Sequence, residues 1–323
     1  MCWTWFKNML QQIVTYVVSQ AICIPFIKKP FQDLAHPLRG YALKNAMNLR
    51  ISGRDEEAEI GAWFLQPLDY NGSNLAMDND EQFVQQDGFL IKENQTVILY
   101  LHGNSETRAQ YHRRALYILF QKMGYHVLAI DYRGYGDSSK TTLSQTSMVE
   151  DANSAFKWLE ENSHPSTNIF IWGHSLGTGV TSKLAHVLTQ AESTSSKLSG
   201  IFLEAPFNRM LDEVQTFRLS RLLPWIGLDI AETLRQADML FDSTHWLENV
   251  KIPILIMHAE DDKVIPFHLA SKLYDDLKRA GGNVQFHSFS SEQRLGHDGI
   301  FKAKIPTLFS DIVTEFVEKN VQS

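Results

Sequence analysis

Apolar residues in this chain fall into two patterns that alternate along its length, short continuous runs and helix-spaced faces. The runs "TVILYLHG" (96–103), "HVLAIDYRG" (126–134), "NIFIWG" (168–173), "GIFLEAP" (200–206) and "IPILIMHAEDD" (252–262) have the character of strands buried on both faces. Between them come helical faces. Leu116, Leu119, Phe120 and Met123 form one, closed by Gly124; Met148, Ala152, Ala155, Phe156 and Leu159 form the next. "TSKLAHVL" (181–188) continues as helix, "LASKLYDDLKRAGG" (269–282) is a helix stopped by glycines, and "NVQFHSFS" (283–290) is the last strand. A final helix carries Leu308, Ile312, Phe316 and Val317, and "NLRI" (48–51) with "EIGAWFL" (59–65) reads as a leading antiparallel pair. Such alternation predicts an α/β fold: a mostly parallel sheet with helices on both faces.

Three segments depart from this rhythm. Residues 67–93 are acidic, rich in Asn and Gln and without period, which predicts a loop. Residues 207–250 are too long for an ordinary crossover and hold Phe217, Leu222, Leu223, Trp225, Ile226, Leu228, Leu234, Phe241 and Trp246. So much apolar surface needs something to cover it, and we expect a small helical cap over the carboxyl edge of the sheet. Residues 3–27 are apolar but interrupted by Gln11, Gln12, Thr15, Ser19, Gln20 and Pro25, a poor membrane span. On a helix, Phe6, Leu10, Ile13, Val14, Val17, Ala21 and Ile24 share one face, so the expected form is an amphipathic helix suited to a membrane interface or to packing on its own domain. The organisation expected is therefore an N-terminal amphipathic segment, 1–39, and one α/β domain, 40–323, with 207–250 as a cap insertion.

Composition adds little beyond exclusions. The chain is 44% hydrophobic and 21% charged with a formal net charge of -7, which argues against a nucleic-acid partner. Its two cysteines, Cys2 and Cys23, both precede the domain, so no disulfide framework supports the fold. The sequons at Asn71 and Asn94 are no more than chance supplies. The twelve histidines are spread along the chain and form no metal-like tract.

Chemistry enters at "IFIWGHSLGTGV" (169–180), a strand that breaks into three glycines around Ser175. A G-x-S-x-G between a buried strand and a helix places the serine on a strained turn with its hydroxyl above the sheet edge. Gly173 and Gly177 remove side chains that would clash there, and Gly179 lets the helix pack closely. Ser175 is the candidate nucleophile. A hydroxyl needs a base, and the base an orienting acid, in the chain order Ser, Asp or Glu, His. "ILIMHAEDDKVIP" supplies the acid after a buried strand: Asp262 by its spacing to Val264-Ile265-Pro266, with Asp261 as the alternative. His297, in the glycine-flanked loop "RLGHDG", is the candidate base, and His287 inside the last strand the competitor. Charge developing on a carbonyl oxygen needs two preset donors, expected from the amides of Leu176 and of Asn104 in the loop after "VILYLHG". Asp131, Arg133, His174 and His258 receive structural readings. This chemistry calls for no cofactor and no metal.

The segments "ILYLHGN", "GYHVLAIDYRGYGDS", "IWGHSLGTGV", "LEAPF" and "ILIMHAEDDKVIPF" resemble the α/β-hydrolase domain (ABHD) family and, within it, its type-twelve branch. The resemblance runs from about residue 25 to near the C-terminus. It implies an α/β-hydrolase fold, a triad on Ser175, Asp262 and His297, and hydrolysis of lipid esters such as monoacylglycerols or lysophosphatidylserine at the endoplasmic reticulum membrane. The partners it implies are a lipid ester substrate and a membrane surface. An acyl-protein thioesterase or peptidase on the same fold, and a catalytically inactive binding module, are the alternatives.

Overall fold

A computed structural model describes residues 33–54, 58–68, 90–141, 143–190, 197–216, 229–303 and 306–321. The amphipathic segment 3–27 and most of the acidic loop 67–93 lie outside the described residues. Eight strands form one sheet: β1 (Ala46–Ser52), β2 (Glu59–Leu65), β3 (Thr96–Leu101), β4 (His126–Ile130), β5 (Asn168–His174), β6 (Leu198–Glu204), β7 (Ile254–Ala259) and β8 (Val284–Phe289), in the order β1-β2-β4-β3-β5-β6-β7-β8. β2 runs antiparallel to both of its neighbours, and every pairing from β4 to β8 is parallel. Each strand expected from an apolar run is present, with ends shifted by a few residues. β4, for example, stops at Ile130, because the chain turns at Asp131 to enter the loop that Arg108 holds.

Burial on both faces explains the unbroken apolar runs. In β3, Val97, Leu99 and Leu101 enter one core cluster while Ile98 and Tyr100 enter the other, with every side chain of the strand buried. The first cluster is covered by α3 (Gln145–Glu161), α4 (Leu176–Gln190) and α8 (Phe267–Arg279), through Met148, Phe156, Val180, Leu184, Leu269 and Leu273. The second is covered by α2 (Tyr111–Lys122) and α9 (Pro306–Asn320), through Leu116, Phe120, Phe309, Val313 and Phe316. A preceding short helix, α1 (Pro37–Tyr41), packs on β1 and carries no strong sequence signal because it is barely one turn. Ser144 caps α3 reciprocally with Ser147, which sets where that helix begins.

Within 207–250 the described residues form α5 (Met210–Thr216), α6 (Ile230–Gln236) and α7 (Ser243–Leu247). Phe207, Met210, Leu234, Met239, Phe241 and Leu247 are buried in the same cluster as α4, so these flanks of the insertion belong to the main core. Phe217, Leu222, Leu223, Trp225, Ile226 and Leu228 lie outside the described residues. No described helix is long and apolar enough to cross a membrane.

Strand order reverses at β3: the chain next adds β4 on one side and then β5 on the other, and the carboxyl ends of strands at such a switch point are where open α/β sheets bind their ligands. Loops at that edge are pinned by two buried ion pairs. Arg108 donates through its amide to Asp131 Oδ1 at 2.6 Å and through its guanidinium to Asp131 Oδ2 at 2.5 Å, and it also reaches Asp137 and Asn48. Arg133 forks onto Asp151 of α3 at 2.7 and 2.9 Å. Asp131 and Arg133 thus fix the loops that follow β3 and β4. Replacing Arg108 with Met should cost about 3–5 kcal/mol, because Asp131 is left buried without its cation. Urea unfolding at constant slope measures this, and a cost below about 1 kcal/mol, the range of exposed pairs, would contradict it.

Candidate active site

The elbow follows from local sterics. Ser175 takes the left-handed conformation, with φ 54°, between the end of β5 and the start of α4. A non-glycine residue there stores about 1–3 kcal/mol of strain that its surroundings must hold. Ser175 N–H donates to Glu204 O at 2.9 Å, and Thr178 N–H and Oγ1–H both donate back to Ser175 O. A side chain at Gly173 would strike the Gly177 carbonyl and the Thr181 hydroxyl, and one at Gly177 would strike the Leu101 and His102 carbonyls. At Gly179 it would press on Phe241 at 2.8 Å, which is the close helix packing that position serves.

The loop after β3 lies directly on this turn: a Cβ at Gly103 would sit 3.2 Å from Ser175 Cβ. Asn104 is next in that loop, its carbonyl held by Tyr135 Oη–H at 2.8 Å, which directs the backbone of the residue expected to donate. Leu176 opens α4, where the first amides of a helix have no acceptor four residues back and the dipole favours negative charge.

Asp262 follows β7 and His297 follows β8, and the structure brings them together: His297 Nδ1–H donates to Asp262 Oδ2 at 2.7 Å. The other carboxylate oxygen, Oδ1, accepts from the amides of Val264 at 2.7 Å and Ile265 at 3.0 Å, so the spacing to "VIP" is the spacing of a turn that cradles the acid. Asp261 faces elsewhere and accepts from Gly296 N–H at 3.0 Å, tying down the loop that carries His297. His287 rests edge-on against Phe289 in β8.

Two further groups were not expected at the site. His258, fully buried in β7, holds its Nε2 between Asp262 Oδ2 at 3.2 Å and Ile265 O at 3.0 Å. Its signal was present in "HAEDD", four residues before the acid, but burial in a strand reads as core. Glu204, at the end of β6, accepts from Trp172 Nε1–H at 2.8 Å, and burial pushes its carboxyl up to about 8.

Electrostatics separates these groups. Burial works to raise the Asp262 carboxyl, but hydrogen bonds from His258 and His297 outweigh it and hold it well below the usual range. Burial likewise opposes charge on His297, yet the hydrogen bond and charge of Asp262, with Asp298 and Glu204 adding, keep its imidazole above 6.5. An imidazole oriented by a buried carboxylate can take up a proton and return it to a leaving group, and its loop meets the elbow where His174 Nε2, one residue before Ser175, lies 3.2 Å from the His297 carbonyl.

Residues 92–244 match the family described as Serine aminopeptidase, S33. The chain is 32% identical over 306 residues to the lysophosphatidylserine lipase ABHD12 of Danio rerio, covering 92% of this chain and 77% of that one. It is 32% identical to the Mus musculus protein of the same name, covering 94% and 75%, and 33% identical to Protein ABHD12B of Homo sapiens, covering 86% and 75%. Among solved structures, an α/β-hydrolase from Vibrio vulnificus superposes with a TM-score of 0.65 at 19% identity, covering 96% of this chain and 93% of that one. An esterase from Pyrococcus furiosus superposes with a TM-score of 0.59 at 20% identity, covering 86% and 92%. These likenesses establish the α/β-hydrolase fold.

The two candidate histidines should titrate on opposite sides of 6.5 by NMR, His297 above because Asp262 favours its charge, His287 below because burial disfavours it. Asp262→Asn should carry His297 downward and leave His287 in place. The reverse order in the unmodified protein would refute the pairing.

Proposed function

The chain belongs to the ABHD12 family of α/β-hydrolases, whose members are named lysophosphatidylserine lipases, and on that premise we propose that it is a serine hydrolase of single-chain lipid esters of the lysophosphatidylserine type. Ser175, His297 and Asp262 act as nucleophile, base and orienting acid. The observation that carries this is the 2.7 Å hydrogen bond from His297 to Asp262, made at the loop edge where Ser175 turns its strained backbone.

In acylation, Ser175 Oγ forms a bond to the ester carbonyl carbon while its proton passes to His297 Nε2. The carbonyl oxygen takes on negative charge and accepts hydrogen bonds that the Leu176 and Asn104 amides donate. The carbonyl-to-alkoxy bond then breaks, and the leaving lysolipid head takes the proton from His297. A water molecule repeats the sequence, its proton going to His297 and its oxygen to the acyl carbon, and the fatty acid leaves as Ser175 recovers its proton. Asp262 stays ionised throughout, because the groups that hold its carboxyl low are the ones it orients.

Relatives named for a lysophospholipid support the substrate class, and the apolar residues of 207–250 and the amphipathic pattern of 3–27 support work on a lipid at a membrane surface. The endoplasmic reticulum membrane is the location that goes with this reading.

Fluorophosphonate labelling of the wild type should be complete and lost in Ser175→Ala. On lysophosphatidylserine, Ser175→Ala should lower kcat about 10^6-fold and Asp262→Asn about 10^4-fold. In the wild type, kcat/KM should rise with pH through a midpoint above 6.5, since the base works only when neutral and its charged form is favoured. Labelling that persists in Ser175→Ala would overturn the nucleophile, and faster turnover of acyl-protein or peptide than of lysolipid would overturn the substrate class.

A further inference from the structure

Beside the triad, but outside it, the fold gathers three groups that lie far apart in sequence. His112 comes from the first turn of α2, His174 from the end of β5 and Asp298 from the loop after β8. One ligand atom from each lies within 4.8 Å of the others. Asp298 Oδ1 stands 3.5 Å from His174 Nε2 and 3.7 Å from His112 Nε2. The two imidazole rings meet edge to face with centroids 5.4 Å apart.

Those spacings suit a tetrahedral cation better than an ion pair. Zinc bonded at 2.0–2.1 Å by nitrogen and oxygen has ligand atoms about 3.4 Å apart along each edge of its tetrahedron. Two of the three edges are thus close to that length, while both are beyond good hydrogen-bond distance. His112 Nε2, one of the three ligand atoms, is buried and has no hydrogen-bond partner among the described residues. An orphaned lone pair next to a carboxylate fits a metal as well as it fits a proton donor. Asp298 is half-exposed, with a side chain 51% accessible, so an ion has a way in and a fourth position remains for water.

We propose that His112, His174 and Asp298 form a zinc-type divalent cation site whose occupation switches the hydrolase off. The coupling is structural. His174 Nε2 lies 3.2 Å from the backbone carbonyl of His297, which makes His174 the link between the elbow and the loop carrying the base. To bind the ion through Nε2, His174 gives up that contact, and its ring proton moves to Nδ1. Asp298 is drawn toward the ion at the same time, and it is the residue that follows His297. Both changes displace the base from the position Asp262 sets. No bond to the triad side chains is needed. The binding claim is independent of the reaction assigned above, and only the inhibition rests on it.

The experiment uses the full chain. Zinc retention after desalting and the visible absorption of added Co2+ report binding directly, while fluorophosphonate labelling and lysolipid hydrolysis report the consequence. The metal-free wild type should be active; loaded with zinc and desalted it should retain one equivalent and lose activity, and loaded with Co2+ it should give the intense spectrum of a tetrahedral ion. His112→Gln, which touches neither Ser175 nor the acid–base pair, should keep basal activity, bind at least tenfold more weakly and resist inhibition. Asp298→Asn should also lose binding, and thermal unfolding of both variants confirms that they fold. Absence of a tetrahedral Co2+ spectrum in the wild type would overturn the site. Zinc inhibition that persists unchanged in His112→Gln would place the ion on the triad and overturn the proposal, whereas inactivity of the unmodified, zinc-free protein would count against the hydrolase reading alone.

Discussion

The site rests on one backbone constraint, the left-handed turn at Ser175. An L-residue at φ 54° is held only because the chain on either side is pinned. Ser175 N–H is bound to the neighbouring strand at Glu204, and Thr178 closes the turn from the helix side. Leu101 and His102 present carbonyls where a side chain at residue 177 would be, so the end of β3 can pass close enough to lay its loop on the elbow. The parallel register of β3 with β5, in which Leu101 pairs with Gly173, brings that loop to the right level. Ser175, the N-terminus of α4 and the loop after β3 are therefore placed by a single packing arrangement.

A second element of order is the Asp262 carboxylate. Two amides of its own turn hold one oxygen, and two imidazoles share the other. A carboxylate so surrounded stays ionised and cannot rotate without breaking several charge-assisted hydrogen bonds. Asp261, its neighbour, acts on the same loop from the other side by holding the Gly296 amide. The two consecutive aspartates in "AEDD" thus have separate tasks: one holds the His297 imidazole, and the other fixes the backbone that presents it.

The chain's local patterns made most of this readable. Alternating apolar runs and helical faces marked out the sheet and its covering helices, because strands buried on both sides are mostly apolar. Gly173 and Gly177 marked the elbow, since only glycine avoids the carbonyls that crowd those positions. Asp262 was preferred to Asp261 for the spacing of its turn and His297 to His287 for its place in a loop, and the structure brings that pair within a hydrogen bond. What escaped was of another kind. His258 reads as core because it is core; its service to Asp262 depends on β7 and the loop after it folding over one another. Glu204 looks like an ordinary strand end until its neighbours exclude water.

Sequence by itself determined the elements, their order and the types of group that meet at the sheet edge, because these follow from short-range periodicity and from sterics within a few residues. Tertiary structure alone decided which faces touch. The insertion at 207–250 has described flanks that join the core beside α4, and that outcome depends on Gly179 admitting Phe207 and Phe241. His112, His174 and Asp298 come from three elements and converge only when α2, β5 and the β8 loop pack together. Local pattern carries no information about such convergence, since each residue's own neighbours in the chain are indifferent to it.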